Sequence, residues 1–231
     1  MIDFSKFTHL TFDCYGTLID WETGILSALN RVLSKHGMAV EDARVLRLYA
    51  DMESRVESGP YLPYREVLGR VMAGIAEELG FTPDENDLES LPVSVASWPP
   101  FSDTVAALER LKSRYRLVIL SNIDDALFAE SQKLLQVPFD EVITAQQIGS
   151  YKPNRRNFTF ALEKLGQPVD RVLHVAQSLY HDHAPAKELG FSTIWINRPS
   201  QLPGTGIAPP SDVKPDLEFT DLKSLADAMG L

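Results

Sequence analysis

The chain has 231 residues, enough for one large domain or a core with an inserted subdomain, and enough to bury a pocket. Its formal charge of -10 comes without a clustered surplus of Lys and Arg, which excludes a nucleic-acid partner but leaves room for a small anionic substrate held by a few local positive groups. The single cysteine, Cys14, excludes an intramolecular disulfide and fits a reducing compartment, the cytoplasm by default, while the absence of a leader pattern and of any apolar run of about 18 residues argues against a membrane.

Residues 8–13 (Thr-His-Leu-Thr-Phe-Asp) form a β-type run that ends on a carboxylate just before Gly16. This pattern predicts a buried strand running into a loop, with Asp13 at the strand's C-terminal end. Residues 22–90 contain no strand run, and amphipathic helices are predicted over 23–36, 41–57, 61–79 and 84–91. Pro92 and the pair Pro99-Pro100 mark the return of the chain from this segment, with the apolar linker Trp98-Pro-Pro-Phe101 as a hinge. Strand runs at 117–121, 141–144, 172–176 and 193–197 then alternate with helical patterns at 103–113, 124–136, 154–165 and 182–189. The Pro-, Gly- and Ser-rich segment 199–215 reads as a surface loop before a last short strand and a terminal helix.

Alternating strands and helices imply βαβ units. The expected fold is therefore α/β: a Rossmann-like parallel sheet with helices on both faces, formed by residues 1–20 and 98–231, and a helical cap over 21–97. In such sheets ligands bind outside the carboxyl ends of the strands, where the strand order switches. Asp13, the pair Ser121-Asn122 and the stretch from Gln177 to Asp182 all fall at those ends and would converge on one crevice.

An isolated Asp before a Gly-Thr turn is as readily a structural turn residue. Here Asp13 is followed in order by Ser121 at a later strand end, by Lys152 in Ser150-Tyr151-Lys152-Pro153-Asn154, and by Asp182 after another strand. That ordered set resembles the four motifs of the haloacid dehalogenase superfamily, over nearly the whole chain and with the cap inserted after the first motif. The segments Asp13-Cys14-Tyr15-Gly16-Thr17, Leu120-Ser121-Asn122, Tyr151-Lys152-Pro153 and Trp195-Ile196-Asn197-Arg198 look most like the type II 2-haloacid dehalogenases.

The residue at position 15 points the same way on chemical grounds. Phosphatases of this superfamily carry a second Asp two positions after the nucleophile to protonate the departing alcohol, and this chain has Tyr15 there. A phenol of reference pKa about 10 is a poor general acid near neutrality, whereas a halide leaves without a proton.

The resemblance implies that Asp13 attacks carbon to form an enzyme ester, that Lys152 pairs with Asp13, and that Asp182 anchors Lys152 and orients or deprotonates the hydrolytic water. It further implies hydrogen bonds from Thr17 and Ser121 to the nucleophile or the substrate, assisted by backbone N–H groups after Asp13. Halide is held in the family by a cap Arg, best matched by Arg47 with Arg44 and Arg55 as neighbours on the same helix, and by the Asn after the motif Ser, which is Asn122. Tyr15, Ser178 and His181 complete the expected substrate side.

This chain departs from the family's pattern around the distal acid, where Gln177, Leu179 and His181 stand in place of Ser, Asn and Trp, and Phe158 replaces a Tyr. His181 is read as a water-activating or substrate-contacting imidazole. His183 is read as a polar residue of a helix N-terminus, Cys14 as core, and His9, His36 and His174 as structural. Asp13 and Asp182 with a backbone carbonyl are a conceivable Mg²⁺ set, but only one acid stands at the distal motif and the family's dehalogenases work without metal, so no metal and no cofactor are expected. A homodimer is the family's implication.

The expected function is hydrolytic dehalogenation of small 2-haloalkanoic acids, such as haloacetate or 2-halopropionate, through an aspartyl ester to the 2-hydroxy acid. The alternatives are an epoxide hydrolase acting on a small epoxy-dicarboxylate, a Mg²⁺-dependent small-molecule phosphatase in which His181 replaces the missing acid, and a binding protein that has kept the fold. The joint presence of Asp13, Ser121, Lys152 and Asp182 favours an enzyme.

Overall fold

The computed structural model describes residues 2–200, 202–203 and 207–231. Strand β1 (His9–Phe12) is followed by four helices, α1 (Trp21–Lys35), α2 (Asp42–Glu57), α3 (Tyr64–Leu79) and α4 (Glu85–Ser94). The chain then runs α5 (Thr104–Lys112), β2 (Arg116–Ser121), α6 (Asp125–Leu135), β3 (Glu141–Thr144), α7 (Ala145–Ile148), α8 (Arg156–Leu165) and β4 (Val172–Ala176). It closes with α9 (Ala184–Glu188), β5 (Ser192–Ile196), β6 (Leu217–Phe219) and α10 (Leu222–Ala228).

The strands form one parallel sheet in the order β3-β2-β1-β4-β5-β6. Both of its faces are covered, as the continuous apolar runs require. Along β2 the alternation is visible residue by residue: Leu117 and Ile119 join the larger core, while Val118 and Leu120 pack on the other face with Ile143, Phe158 and Phe191. The order switches at β1, which has β2 on one side and β4 on the other. Asp13 leaves the sheet at that switch.

Helices α1 to α4 bury their apolar stripes against one another. Ile25, Leu29 and Val32 of α1 and Leu68, Val71, Met72 and Ile75 of α3 are buried at helical spacing. Helix α3 begins at Tyr64 rather than 61 because Pro63 biases the residue before it away from helix. Its first turn is capped from the sheet domain: Tyr64 N and Arg65 N donate to the two carboxylate oxygens of Asp124, each at 2.8 Å.

Three expectations are corrected. Pro92 does not end the helical segment; α4 runs through it to Ser94, and the lost N–H is offset by burial of Leu91, Pro92 and Val95. The Trp98 linker is a wedge. Trp98 is 1% exposed, stacks edge-on against Tyr15 at 5.7 Å and lies so close to Gly24 that a Cβ there would meet the indole at 2.3 Å. Within 199–215, Leu202, Ile207 and Ala208 are buried, so this segment packs onto the protein instead of lying in solvent; its Gln201 and Gly204-Thr205-Gly206, like Met1, lie outside the described residues. Among the described residues no helix is long and apolar enough to cross a membrane.

Candidate active site

The site is built on the ends of β1, β2 and β4. Register pairs Phe12 with Ile119 on one side and with Val175 on the other, so Asp13, Ser121 and Gln177 emerge together. After Asp13 the chain turns at Gly16, whose φ of +90° favours glycine and where a Cβ would meet Trp21 Nε1 at 3.0 Å. The turn brings Thr17 back beneath the carboxylate. Its Oγ1 donates to Asp13 Oδ2 at 2.9 Å and accepts from Gln177 N at 2.9 Å.

The buried Arg198 fixes that turn by donating Nε and Nη2 to Thr17 O at 3.1 and 3.0 Å, with Nη1 held by Asp103 Oδ1 at 2.6 Å. The N–H groups of Gly16, Thr17 and Leu18 are spent on bonds within the loop, to Ile19 O and Cys14 O, which removes them as donors to a substrate.

Lys152 is 2% exposed and all three of its Nζ protons have acceptors: Asp13 Oδ1 at 2.9 Å, Asp182 Oδ1 at 2.6 Å and Leu120 O at 3.0 Å. Its backbone is clamped by Asn122, which donates Nδ2 to Lys152 O at 3.0 Å and accepts from Lys152 N at 2.7 Å. Asp182 sits in a single π-helical turn, Leu179–His183, that precedes α9 where an unbroken helix over 182–189 was expected. Such turns recur at functional sites.

Electrostatics divide the two acids. Burial works against the charge on Asp182, but the Lys152 ammonium and the His174 hydrogen bond outweigh it and hold this carboxyl well below the usual range. At Asp13 burial dominates, with the Asp182 charge adding to it, and raises the carboxyl above its ordinary value against the opposing Lys152 and Thr17. A more basic carboxylate is a better nucleophile. Burial opposes the charge on Lys152 too, yet the two carboxylates raise it.

A cavity of ≈ 50 Å³, room for a few waters, opens above these groups. The sequence-predicted Asp13, Tyr15, Ser121, Asn122, Lys152, Ser178, His181 and Asp182 all line it. Thr17 reaches it through Asp13. Ser121 Oγ is buried and has no hydrogen-bond partner among the described residues. Tyr15 is tied to Ser131 Oγ at 2.8 Å and burial pushes its phenol well above 10, which removes it as an acid. Burial lowers the His181 imidazole to about 4, so it is neutral and only weakly basic near pH 7, a setting that suits the expected substrate contact better than the activation of water. A larger outer cavity of ≈ 380 Å³ shares Glu57, Lys152 and His181 with the inner one.

Arg47 is corrected. It is exposed, as are Arg44 and Arg55, and none of the three lines the cavity. On α2 the inward line is Tyr49, Glu53 and Glu57 at successive i, i+4 positions, and at about 100° per residue Arg47 lies roughly 200° round from Tyr49. Helix α2 therefore presents carboxyl groups to the cavity. Glu53 accepts from Tyr49 Oη at 2.8 Å and from Tyr64 Oη, while Glu57 makes no hydrogen bond or ion pair among the described residues.

His174, expected to be structural, reaches the distal acid, a contact that sequence reasoning missed. Its Nε2 lies 3.0 Å from Asp182 Oδ1 and its Nδ1 2.9 Å from Thr11 Oγ1. It stands mid-strand, and only the register that pairs it with Thr11 reveals that it reaches the distal acid.

A family model described as haloacid dehalogenase-like hydrolase matches residues 7–190. The (S)-2-haloacid dehalogenase H-109 of Pseudomonas putida is 27% identical over 220 residues, 92% of this chain and 96% of that protein. A glyceraldehyde 3-phosphate phosphatase of Methanothermobacter thermautotrophicus is 34% identical over 110 residues, 46% of this chain and 48% of that protein. The solved L-2-haloacid dehalogenase from Xanthobacter autotrophicus with chloropropionic acid covalently bound superposes with a TM-score of 0.83 at 22% identity, over 97% of this chain and 98% of that one, a likeness of fold.

Proposed function

The chain belongs to the haloacid dehalogenase-like hydrolases, and from that premise we propose that it hydrolyses the carbon–halogen bond of a small organic halide through an ester on Asp13. One observation carries this reading. The position where the superfamily's phosphatases hold a proton donor is Tyr15, anchored to Ser131 with its phenol raised, so the core offers no placed acid for a departing alkoxide.

An Asp13 oxygen attacks the halogen-bearing carbon; the C–O bond forms as the C–X bond breaks, and halide leaves with the bonding pair. Thr17 and Lys152 hold the carboxylate in place, and Ser121 Oγ supplies an uncommitted O–H donor at the cavity wall. Water then adds to the acyl carbon of the ester. The alcohol departs with one proton of that water, the second goes to solvent, and Asp13 returns as carboxylate. Asp182, its carboxyl held low, orients Lys152 and the water and is too weak a base to deprotonate it.

A resident Mg²⁺ does not fit these residues. Asp13 and Asp182 are the two carboxylates such an ion would use, and each already gives its Oδ1 to Lys152 Nζ, with Asp13 Oδ2 taken by Thr17. The relatives named for (S)-2-haloacid substrates make 2-chloropropionate and monochloroacetate the first compounds to assay, with 2-chloropropylamine as a halide of opposite charge. Halide release from at least one of them, with ¹⁸O from labelled water entering Asp13 in a single turnover, is expected. No halide from any of the three together with Mg²⁺-dependent p-nitrophenyl phosphate hydrolysis overturns the reading.

A further inference from the structure

The cap wall of the cavity is chemically unlike what an anionic substrate requires. Among the described residues the one ammonium lining it, Lys152, has all three protons committed to Asp13, Asp182 and the Leu120 carbonyl, and no arginine lines the cavity. The neighbouring core imidazole, His181, is neutral. Facing these groups from α2 are two carboxyls, Glu53 and Glu57, one turn apart. A carboxylate substrate would enter a space already bounded by Asp13, Glu53 and Glu57.

We propose that the substrate of this site carries a cationic ammonium group, held against Glu53 and Glu57 on the cap while its reacting carbon faces Asp13. Three observations carry this. First, Glu57 makes no hydrogen bond or ion pair among the described residues, feeling Lys152 only at longer range, and Glu53 has only phenol donors, so neither carboxyl is in contact with a cation of the protein. Second, the rings of Tyr15, Trp21 and Tyr64 line the same cavity, and aromatic faces beside carboxylates are the recurrent setting for ammonium groups. Third, Ser121 Oγ is buried, unpartnered and at the same wall, a polar group left for a ligand to satisfy.

The energetics agree in sign. Burial raises both Glu carboxyls, and at Glu57 the Glu53 charge adds to it against the opposing Lys152; a cationic ligand draws both toward the ionised form as it binds. The hydroxyls of Tyr49 and Tyr64 both donate to Glu53 Oε1, so that carboxyl is oriented before a ligand arrives. Glu57 also lines the outer cavity and so stands on the way in. Charge selection would begin there.

The proposal rests on Asp13 marking the reacting end of the cavity, so its test is one of binding and requires no turnover. Calorimetry compares two product-like probes of matched skeleton, 1-aminopropan-2-ol and lactate, on the full chain and on Asp13→Asn. At least about ten-fold tighter binding of the amine is expected in both, and Glu57→Gln and Glu53→Gln should each reduce that preference several-fold. Preference for lactate, equal affinity, binding of neither probe, or a preference untouched by both Gln variants overturns the proposal. Loss of halide turnover with the amine preference intact would instead count against the ester chemistry alone.

Discussion

His174 Nε2 lies 3.0 Å from Asp182 Oδ1, the same oxygen that accepts from Lys152 at 2.6 Å. An ionised carboxylate only accepts, so Nε2 carries the proton and the ring fixes Asp182 against the sheet while Thr11 fixes the ring. Removing this support should let Asp182 and Lys152 drift from Asp13. His174→Phe is expected to lower kcat by about 10²-fold with a smaller change in KM, since a displacement of about 1 Å in a catalytic group costs that much. His174→Gln, which keeps a donor, should recover part of the loss. Equal kcat in all three proteins would show that Lys152 alone positions Asp182.

Lys152 neutralises two buried carboxylates at once, and taking away only the cation leaves both uncompensated. Lys152→Met should therefore destabilise the fold by about 3–5 kcal/mol, measured by urea unfolding, besides abolishing turnover. Adding Asp182→Asn to the Met variant removes one of the stranded charges. Stability should partly return while activity does not, which separates the structural from the chemical role of the ammonium.

Asp13 and Ser121 were legible in the sequence because each falls at a strand end, where the sheet's period and order bring residues together whatever the side-chain detail, while Lys152, in the loop after α7, and Asp182, in the turn after β4, were legible from the order of the motifs. Asp13, Ser121, Lys152 and Asp182 meet as expected. What was not legible depended on rotation and on register. Arg47 was chosen from a local pattern, yet the buried Val45, Leu46 and Tyr49 fix the helix's rotation and turn it outward; the i, i+4 series Tyr49, Glu53 and Glu57 was the available signal. His174 stands in a strand interior, which reads as core until the neighbouring π-helical turn is seen to carry Asp182 back over it.

Two histidines set the acid side of stability. His183 is fully buried, its Nε2 donating to Ala176 O over 2.9 Å, and burial lowers its imidazole to about 4, with His181 held similarly. Both are neutral in the folded chain while the unfolded chain takes up protons near the ordinary imidazole value of about 6.5. The unfolded state thus binds more protons between those limits, and stability present above pH 6.5 is lost progressively down to about pH 4. His183 alone should account for about 3 kcal/mol of that loss. Urea midpoints measured from pH 7 to 4 should fall less steeply in His183→Gln. An unchanged slope would place the proton uptake elsewhere.

Asp124, just before α6, ties that helix to the start of α3, where Tyr64 lines the cavity. Its carboxylate oxygens accept from Tyr64 N and Arg65 N at 2.8 Å each, and it is the hydroxyl of the same Tyr64 that donates to Glu53. Losing that cap should therefore act twice: on stability, because two N–H groups of the first turn of α3 lose their partner, and on binding, because the residue that orients Glu53 is released. Asp124→Ala is expected to cost about 1–2 kcal/mol in urea unfolding and to raise KM several-fold more than it lowers kcat. Asp84 is the control. It caps α4 in a reciprocal pair with Asp87 and does not line the cavity, so Asp84→Ala should lower stability to a similar degree with KM unchanged. A matching rise in KM from Asp84→Ala would mean that loosening the cap anywhere, and not the Asp124–Tyr64 link, sets the shape of the cavity.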